Sequence, residues 1–315
     1  MKLAIVTHTP RPINLHGLWR VLEAKAEVTL FEASKADCKS LGRFLKRLPL
    51  AQFDKVLLDL PFKYLHKEAR VICRLPDVTL YEEDGTQNFI PASRWFGRFT
   101  RFYKKIPHAK FIHTGYHVSQ QFRQQGIDST FVSKGYDPER LWCTGSERTI
   151  ALGFIGTVKP GVYEGRKMAI EHMQQQAGLQ IFRTSTPEEY REKLNAIDVF
   201  FSADMGLGEY MAKNFEAMAC GCILLAYRQG NGEEEALGLV DGVNCLLYGD
   251  VGEAEAKLHF AREMSEQARN ALRGQSLYHA AQCFAIGALG ELVWQVVAGR
   301  PQSFAPVPWW KKILP

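Results

Sequence analysis

Short apolar runs alternate with helical stretches along the whole chain, and this alternation restricts the possible fold more than any other feature. In the first half, the predicted strands are 3–7, 27–31, 55–59, 78–81, 110–113 and 130–132, and the predicted helices are 15–24, 39–48, 63–74, 92–105 and 118–125. Consecutive strands joined by crossover helices pair in parallel, and helices then cover both faces of the sheet. The first half is therefore predicted to be an α/β domain with a doubly wound parallel sheet.

A second series of the same kind follows a polar, turn-rich segment at 137–149, which we interpret as a linker. Its predicted strands are 150–155, 179–182, 198–202, 223–226 and 244–248, and its predicted helices are 166–176, 187–196, 213–219, 252–273 and 275–298. The 315 residues thus divide into two Rossmann-like domains, predicted at 1–143 and 144–315. Ligands of such sheets bind at the carboxyl ends of the strands, and a cleft between two facing domains is a preferred place for a site.

Positive charge is concentrated in the first half of the chain. Residues 1–146 hold 23 basic and 14 acidic residues, a net charge of +9, whereas residues 147–315 have a net charge of −4. A basic half favours an anionic partner such as phosphate, nucleic acid or an anionic membrane surface, and a solvated surface is the alternative interpretation. Among these partners we expect phosphate and a membrane surface, and no nucleic acid.

The cysteines and the hydropathy pattern indicate the compartment. The seven cysteines are scattered, and the Cys220-Gly-Cys222 pair is too closely spaced for the usual zinc or thioredoxin motifs. An odd number of cysteines without a framework is typical of a reducing compartment. The apolar run at the N-terminus is too short for a signal peptide, and no run reaches the roughly 18 apolar residues of a membrane span. We therefore expect a cytoplasmic protein.

The segment from Gly206 to Ala226 is the part of the sequence with the clearest functional content. A glycine-rich turn runs into a short predicted helix that carries Lys213 and Glu216, and this helix ends at Gly221 before an apolar strand. The start of such a helix offers free backbone N–H groups and a positive dipole end to an anion. Glu216 lies among small and apolar residues, so its carboxylate is expected to have a polar partner; a surface residue that complements the helix dipole is the alternative.

The stretch Phe215-Glu-Ala-Met-Ala-Cys-Gly221 resembles the donor-binding signature of GT-B glycosyltransferases, especially family 4 and its spore-maturation-type relatives in group 1. Three further segments resemble this family and occur in the family's order, at 131–137, 153–157 and 230–250. The resemblance covers most of residues 110–250. It implies two Rossmann-like domains that face a cleft, with the last helix and tail, at about 288–315, packing back on the first domain.

The resemblance also implies roles for residues of the second domain. Glu216 would hold the ribose hydroxyls of a nucleotide sugar, Lys213 would serve as a counter-charge, and Arg166 is preferred over Lys167 for the diphosphate. The full set of donor-binding residues is predicted to be Gly156, Lys159, Arg166, Glu209, Tyr210, Met211, Ala212, Lys213, Asn214 and Glu216. One departure stands out. Many family members have a second glutamate eight residues before the ribose-binding one, and here that position is Gly208, with Glu209 one place away.

The first domain is expected to supply the acceptor side and the catalytic groups. His8, Arg11 and His16 follow the first predicted strand at the carboxyl edge of the sheet and are candidates for acceptor binding. Glu82 and Glu83 follow the fourth strand. Neighbouring carboxylates repel each other, so one of them is a candidate general base.

The fifth strand supplies the last catalytic candidate, His113, which begins the segment His113-Thr-Gly-Tyr116. An inverting transferase needs a base for the acceptor hydroxyl, whereas a retaining one does not. Family 4 is retaining, and a histidine often lies where this chain has the acidic residues 82–84. The stereochemical outcome therefore stays open.

The C-terminal residues pair two tryptophans, Trp309 and Trp310, with two lysines, Lys311 and Lys312. Tryptophan prefers a membrane interface and lysine prefers anionic lipid, so the tail is compatible with a contact at the inner face of a membrane. A tail docked on the first domain is the preferred interpretation.

These patterns together predict a cytoplasmic glycosyltransferase that takes a UDP-, GDP- or dTDP-sugar as donor. The predicted acceptor is a glycan or glycolipid of the cell envelope, such as a lipopolysaccharide core. We expect no metal, since the sequence has no Asp-x-Asp motif, and no cofactor. Two alternatives stay open: a nucleotide-sugar epimerase of the same fold, and a nucleotide-binding protein whose catalytic site has decayed, for which Gly208 is the main support.

Overall fold

The computed structural model describes residues 1–9, 13–157 and 164–300, without the side chains of 13–16 and 164. The chain forms two compact units. Unit 1 contains residues 1–132 together with 290–300, and unit 2 contains residues 133–289. Each unit is built on a parallel sheet with helices around it, so the predicted α/β class is confirmed.

Unit 1 contains a six-stranded parallel sheet with the strand order β2-β1-β3-β4-β5-β6. In chain order its elements are β1 (Lys2–His8), α1 (Ile13–Glu23), β2 (Glu27–Ala33), α2 (Lys35–Lys39), α3 (Leu41–Arg47), β3 (Lys55–Asp59), α4 (Phe62–Leu65), α5 (Ala69–Ile72), β4 (Val78–Glu82), α6 (Arg98–Tyr103), β5 (Lys110–His113), α7 (Tyr116–Gln124) and β6 (Ser129–Phe131). All six predicted strands are present. The inner strands are apolar and buried on both faces, which is the pattern of a sheet covered by helices on each side.

Several helices of unit 1 are shorter than the sequence pattern predicted. The stretch predicted at 63–74 forms two single-turn helices, and the one predicted at 92–105 forms only α6. In the second case Gly97 adopts a left-handed φ of 65° and donates its backbone N–H to the Asn88 carbonyl oxygen at 2.9 Å. A left-handed residue ends helical continuity, so α6 begins only after Gly97.

Unit 2 contains a five-stranded parallel sheet with the strand order β11-β10-β9-β7-β8. In chain order its elements are β7 (Ile150–Ile155), α8 (Glu164–Ala177), β8 (Gln180–Phe182), α9 (Pro187–Ala196), β9 (Ile197–Ser202), α10 (Ala212–Ala219), β10 (Ile223–Tyr227), α11 (Glu233–Leu237), β11 (Leu246–Tyr248), α12 (Val251–Glu263) and α13 (Glu266–Cys283), followed by α14 (Ile286–Ala298), which ends among the residues of unit 1. All five predicted strands are present.

The prediction of two long helices, at 252–273 and 275–298, is wrong, because residues 251–298 form three helices. α12 ends before Ser265, whose hydroxyl accepts a hydrogen bond from the Ala268 backbone N–H and so starts α13. The second break lies between α13 and α14, where the Phe284 carbonyl oxygen accepts from the Tyr136 N–H and the Ile286 N–H donates to the Tyr136 carbonyl oxygen. Neither break contains a glycine or proline: a local serine cap places the first, and a tertiary contact with Tyr136 places the second.

The division between the units follows Val132, eleven residues before the boundary predicted after residue 143. Residues directly after the division pack within unit 2. A Cβ at Gly135 would lie 2.0 Å from the Phe284 carbonyl oxygen, so this glycine permits a close backbone approach. Ser133, Lys134 and Gly135 already interrupt the apolar run, ahead of the polar, turn-rich segment at 137–149 from which the boundary after residue 143 was predicted.

Residues 290–300 belong to unit 1, where two lysines hold the end of α14. Lys110 donates from Nζ to the carbonyl oxygens of Val297 and Gly299, at 2.9 and 2.7 Å. Lys55 donates to the same Gly299 oxygen at 3.2 Å, and both lysines form ion pairs with Asp77. Cations at a helix C-terminus satisfy its free carbonyl groups and complement its dipole.

The Cys220-Gly-Cys222 motif is part of the core of unit 2. Burial raises the pKa of both thiols, that of Cys222 to about 12, so both are protonated at neutral pH. All seven cysteines are free. No helix in the described part of the chain is both long enough and apolar enough to cross a membrane.

Candidate donor site at the carboxyl edge of unit 2

Gly156, directly after β7, forms the turn around which the predicted donor contacts gather. It has a φ of 150°, and a Cβ at this position would lie 2.4 Å from the amine nitrogen of Lys213. Lys213 reaches the turn from α10 and donates from Nζ to the Ile155 carbonyl oxygen at 2.6 Å. Position 156 favours glycine because L side chains rarely adopt this φ.

Two arginines lie at the same turn. The guanidinium carbon of Arg166 lies 5.5 Å from the centre of the Phe154 ring, and Lys213 Nζ lies 5.7 Å from the same centre. Arg183, which directly follows β8, donates from Nη1 to the Thr157 hydroxyl at 2.7 Å. Three cationic side chains from three different elements therefore converge on the carboxyl end of β7.

The electrostatics of this cluster favour an anionic ligand. Burial lowers the pKa of Lys213, and the charges of Arg166 and Arg183 lower it further, while Glu216 and Asp204 oppose the shift. Within the described residues, the buried Nε of Arg166 has no hydrogen-bond partner. A buried donor without a partner costs free energy, which a phosphate oxygen would recover.

Glu216 lies on α10 with a side chain that is almost fully buried, at 6% exposed. Its Oε2 accepts a hydrogen bond from the Tyr190 hydroxyl at 2.5 Å. Burial and, after it, the charge of Glu216 raise the pKa of Tyr190, so the tyrosine stays protonated and keeps donating. The carboxylate therefore has the polar partner that the sequence predicted. The hydrogen bond from Tyr190 to Oε2 orients the carboxylate.

The start of α10 is held by Asp204, which lies two residues after β9. Asp204 Oδ2 accepts from the Met211 backbone N–H at 3.1 Å and from the Asn214 side-chain amide at 2.7 Å. The same amide donates to the Met211 carbonyl oxygen at 2.9 Å. These contacts fix the first turn, whose next amides, those of Ala212 and Lys213, lie at the positive end of the helix and lack intrahelical partners.

Glu209 forms a buried ion pair with Lys134. The Lys134 Nζ lies 2.8 Å from Glu209 Oε2, and the two side chains are 5% and 3% exposed. Lys134 also lies 3.7 Å from the Met211 sulfur. Glu209 thus ties the loop before α10 to the segment that opens unit 2, and Gly208, with a φ of 66°, forms the turn beside it.

Tyr210, another predicted donor contact, points into the core. Its hydroxyl donates to Glu234 Oε1 at 2.6 Å, and burial raises its pKa well above the usual range. Glu234 also accepts from the backbone N–H groups of Gln229 and Gly230. The side chain of Tyr210 therefore fixes the loop at 229–230 and leaves only its backbone for a ligand.

His113 is a core residue of unit 1, and the catalytic role predicted for it does not fit this placement. It is fully buried, and burial lowers its pKa to about 3. Its Nδ1 lies 2.8 Å from the Ser129 hydroxyl, its Nε2 lies 3.3 Å from the Tyr103 hydroxyl, and its ring stacks on Phe122. A Cβ at Gly85 would lie 2.7 Å from the ring, so the loop after β4 packs directly on it.

Glu82 and Glu83 lie at the end of β4, as predicted, but in different surroundings. Glu82 is 5% exposed and its Oε1 accepts the Asp84 backbone N–H at 2.8 Å, whereas Glu83 is partly exposed. Glu83 is therefore the better candidate for contact with an acceptor. His8 ends β1 and is partly exposed. The predictions for Arg11, for Lys159 and for the side chain of His16 lie outside the described residues, as do those for the tail at 301–315.

Four residues of this site were not singled out from the sequence: Lys134, Arg183, Tyr190 and Asp204. Arg183 and Asp204 lie one and two residues after the strands at 180–182 and 197–202, so their position at the carboxyl edge was a usable signal. Lys134 and Tyr190 act through contacts distant in the sequence, and no local pattern marks them. In the described part of the chain, no group of three or more His, Cys, Asp or Glu side chains is arranged to hold a metal ion.

No family model matches this sequence, and no curated protein does. Solved structures do match. HepE from Anabaena, solved in complex with UDP-glucose, is 12% identical, has a TM-score of 0.66, and the match covers 95% of this chain and 99% of that one. Sucrose-phosphate synthase from Thermosynechococcus elongatus is 10% identical with a TM-score of 0.66, and the match covers 94% and 98% of the two chains.

A glycosyltransferase from Rickettsia africae is 8% identical, with a TM-score of 0.61 and coverage of 94% of this chain and 97% of that one. At such identities the similarity shows the fold. The chain has the GT-B fold, so the fold predicted from the resemblance is confirmed, while membership of family 4 stays a prediction.

Proposed function

We propose that this chain is a glycosyltransferase that moves a sugar from a nucleoside diphosphate sugar to an acceptor hydroxyl. One observation carries the proposal. On a GT-B fold, the buried Glu216 follows Lys213 by three residues on α10, so its carboxylate lies beside a lysine that belongs to a cluster of three cations at the first turn of unit 2. A carboxylate suits a ribose diol, and the cations suit a diphosphate.

The same residues would stabilise the leaving group. As the bond between the sugar and the diphosphate breaks, negative charge accumulates on the diphosphate oxygens. Lys213, Arg166 and the amides that start α10 would meet that charge from fixed positions, so little reorganisation would be needed. The bound diphosphate would also offset the burial that lowers the pKa of Lys213. The proposed transfer uses no metal and no cofactor.

The acceptor side of the proposal rests on unit 1. Glu83, at the end of β4, is proposed to contact the acceptor hydroxyl, and Glu82 is proposed to position the loop that follows. The basic character of residues 1–146 supports an anionic acceptor, which we propose to be a glycan or glycolipid of the cell envelope, such as a lipopolysaccharide core, reached from the cytoplasmic face of the membrane. HepE was solved with UDP-glucose, so UDP-glucose is the first donor to test, before GDP- and dTDP-sugars.

Arg166→Ala tests the phosphate contact. The variant is expected to bind UDP roughly tenfold more weakly, because one charge-assisted hydrogen bond is worth about 1.5–3 kcal/mol, while UMP binding changes less. Calorimetric titration of both nucleotides measures the ratio of the two affinities. Lys167→Ala is the matched control, since Lys167 pairs with Glu171 on the exposed side of α8. An unchanged ratio of UDP to UMP affinity in Arg166→Ala would contradict the assignment.

A further inference from the structure

The longest stretch without acidic residues lies in unit 1. From residue 85 to residue 127 the sequence has seven lysines and arginines and no aspartate or glutamate. Three of these arginines, Arg94, Arg98 and Arg101, are exposed and occur within eight residues, at the loop before α6 and on its first turns. The local field at this surface is therefore positive, with no carboxylate from the same stretch to neutralise it.

The arginines surround an aromatic side chain. The guanidinium carbons of Arg94 and Arg98 lie 4.7 and 5.7 Å from the centre of the Trp95 ring. The same ring packs edge-on against Phe62 and His66, at 5.2 and 5.1 Å between centres. Trp95 thus packs against the core of unit 1 and has two cations over its ring. We call Arg94, Trp95, Phe96, Arg98 and Arg101 the basic–aromatic patch.

Phe96 projects from this patch, with 52% of its surface exposed. The loop that carries it is held by hydrogen bonds: the Trp95 N–H donates to the Ser93 hydroxyl at 3.1 Å, and the Gly97 N–H donates to the Asn88 carbonyl oxygen at 2.9 Å. Arg101 donates from Nε to the Gly97 carbonyl oxygen at 3.2 Å. Because these bonds fix the loop, the exposure of Phe96 is a property of the fold.

We propose that the basic–aromatic patch docks unit 1 on an anionic lipid surface. Tryptophan and phenylalanine partition into the region between headgroups and acyl chains, and each arginine near an anionic leaflet gains electrostatic free energy. The half-exposed Phe96 would supply the apolar contribution to membrane binding, and the two arginines that contact Trp95 would supply the electrostatic contribution. Nucleic acid would use the cations, but a half-exposed phenylalanine next to them favours lipid.

The patch also bears on the acceptor. Its loop follows β4, the strand that ends with Glu82, so the patch and the proposed acceptor contact Glu83 lie on the same connection between β4 and α6. Lipid docking would bring this connection to the membrane surface, where a glycolipid acceptor resides. The link to the acceptor rests on the proposed function, whereas docking itself does not.

Co-sedimentation of the full chain with vesicles tests the proposal. The chain is expected to bind vesicles of phosphatidylcholine mixed with phosphatidylglycerol, to bind phosphatidylcholine alone much more weakly, and to lose binding as salt rises. Arg94→Gln/Arg98→Gln should weaken binding about 25-fold, at about fivefold for each charge, and Phe96→Ala about tenfold.

Matched controls exist for both variants. Phe260 on α12 of unit 2 is 53% exposed, so Phe260→Ala removes an equally exposed ring, and Arg43→Gln/Lys46→Gln removes two exposed cations from α3. Both controls should bind vesicles within about twofold of the parent, and thermal unfolding should show all variants folded. Because the readout is vesicle binding, it is independent of whether the chain binds a nucleotide sugar.

Three results would overturn the proposal. The first is a parent chain that fails to bind the anionic vesicles, and the second is a set of patch variants that bind them as tightly as the controls do. The third is that substitution of the patch abolishes binding of single-stranded RNA or DNA while vesicle binding is unchanged, which would identify a nucleic-acid surface.

Discussion

Replacing Glu216 with alanine is expected to weaken the binding of the preferred nucleoside diphosphate by about 100-fold, or about 2.7 kcal/mol. The proposed carboxylate accepts hydrogen bonds from the ribose hydroxyls, and each bond to a charged acceptor contributes about 1.5–3 kcal/mol. The loss should be specific for the ribose. A 2′,3′-dideoxy analogue, which lacks those hydroxyls, should bind the parent and the variant with nearly equal affinity. Calorimetric titration of both nucleotides measures this difference.

Two milder substitutions test the same contact. Glu216→Gln keeps an acceptor for the Tyr190 hydroxyl but removes the charge, so its affinity for the nucleotide should lie between the affinities of the parent and of Glu216→Ala. Tyr190→Phe removes the 2.5 Å hydrogen bond that orients the carboxylate and should cost about fivefold, again only for nucleotides that carry ribose hydroxyls. A merely structural role for Tyr190 would lower the affinities of both nucleotides equally.

Glu192→Ala is the control for these variants, because Glu192 lies exposed on α9 of the same unit. It should leave both affinities unchanged. If Glu216→Ala binds the preferred nucleotide as tightly as the parent does, or loses the dideoxy analogue to the same extent, then the carboxylate does not contact ribose and the site assignment is wrong.

The second large effect is on stability. Lys134→Met removes the cation paired with the buried carboxylate of Glu209, and breaking a buried pair from one side costs about 3–5 kcal/mol. For a unit of this size such a loss should lower the melting temperature of unit 2 by roughly 10 °C. Differential scanning calorimetry, with hydrogen exchange to identify the unit that melts, measures it.

The structure offers two comparisons for this result. Lys167→Met removes a lysine from an exposed pair on α8, with side chains 37% and 50% exposed, and should cost less than about 0.5 kcal/mol. Lys134→Met/Glu209→Leu removes both buried charges and should recover at least half of the lost stability. If Lys134→Met is no more damaging than Lys167→Met, the ion pair does not fix the loop before α10.

The strands of both units were predictable from the sequence because short segments rich in apolar residues alternate with helical stretches, although β2 and β6 also contain polar residues. The helix ends were harder. The breaks at Ser265 and Ala285 depend on a cap and on contacts with Tyr136, 149 residues away from Ala285 along the chain, and neither break contains a glycine or proline. Propensity and periodicity are local, so they cannot report such contacts.

In the candidate site, too, residues in local motifs were predictable and residues that act through distant contacts were not. Lys213, Glu216 and Gly156 were identified from local motifs, and the structure brings Lys213 and Gly156 into direct contact. Tyr190 was not identified, because its contact with Glu216 joins residues on two different helices. His113 was predicted to be catalytic from its position after a strand, but the packing of Phe122 and Tyr103 encloses it. The order of strands and helices indicates which residues lie at the carboxyl edge of a sheet. Whether such a residue is accessible to a ligand depends on how the neighbouring side chains pack around it.

The proposal that unit 2 binds a nucleoside diphosphate sugar is tested most directly by titrating the full chain with UDP-, GDP- and dTDP-sugars. Calorimetry should show one of these donors binding in a 1:1 complex, with the corresponding nucleoside diphosphate competing for the same site. Donor incubated with the chain in the absence of an acceptor should keep its sugar configuration. Failure of all the donors to bind, or accumulation of an epimerised free nucleotide sugar, would contradict a glycosyltransferase.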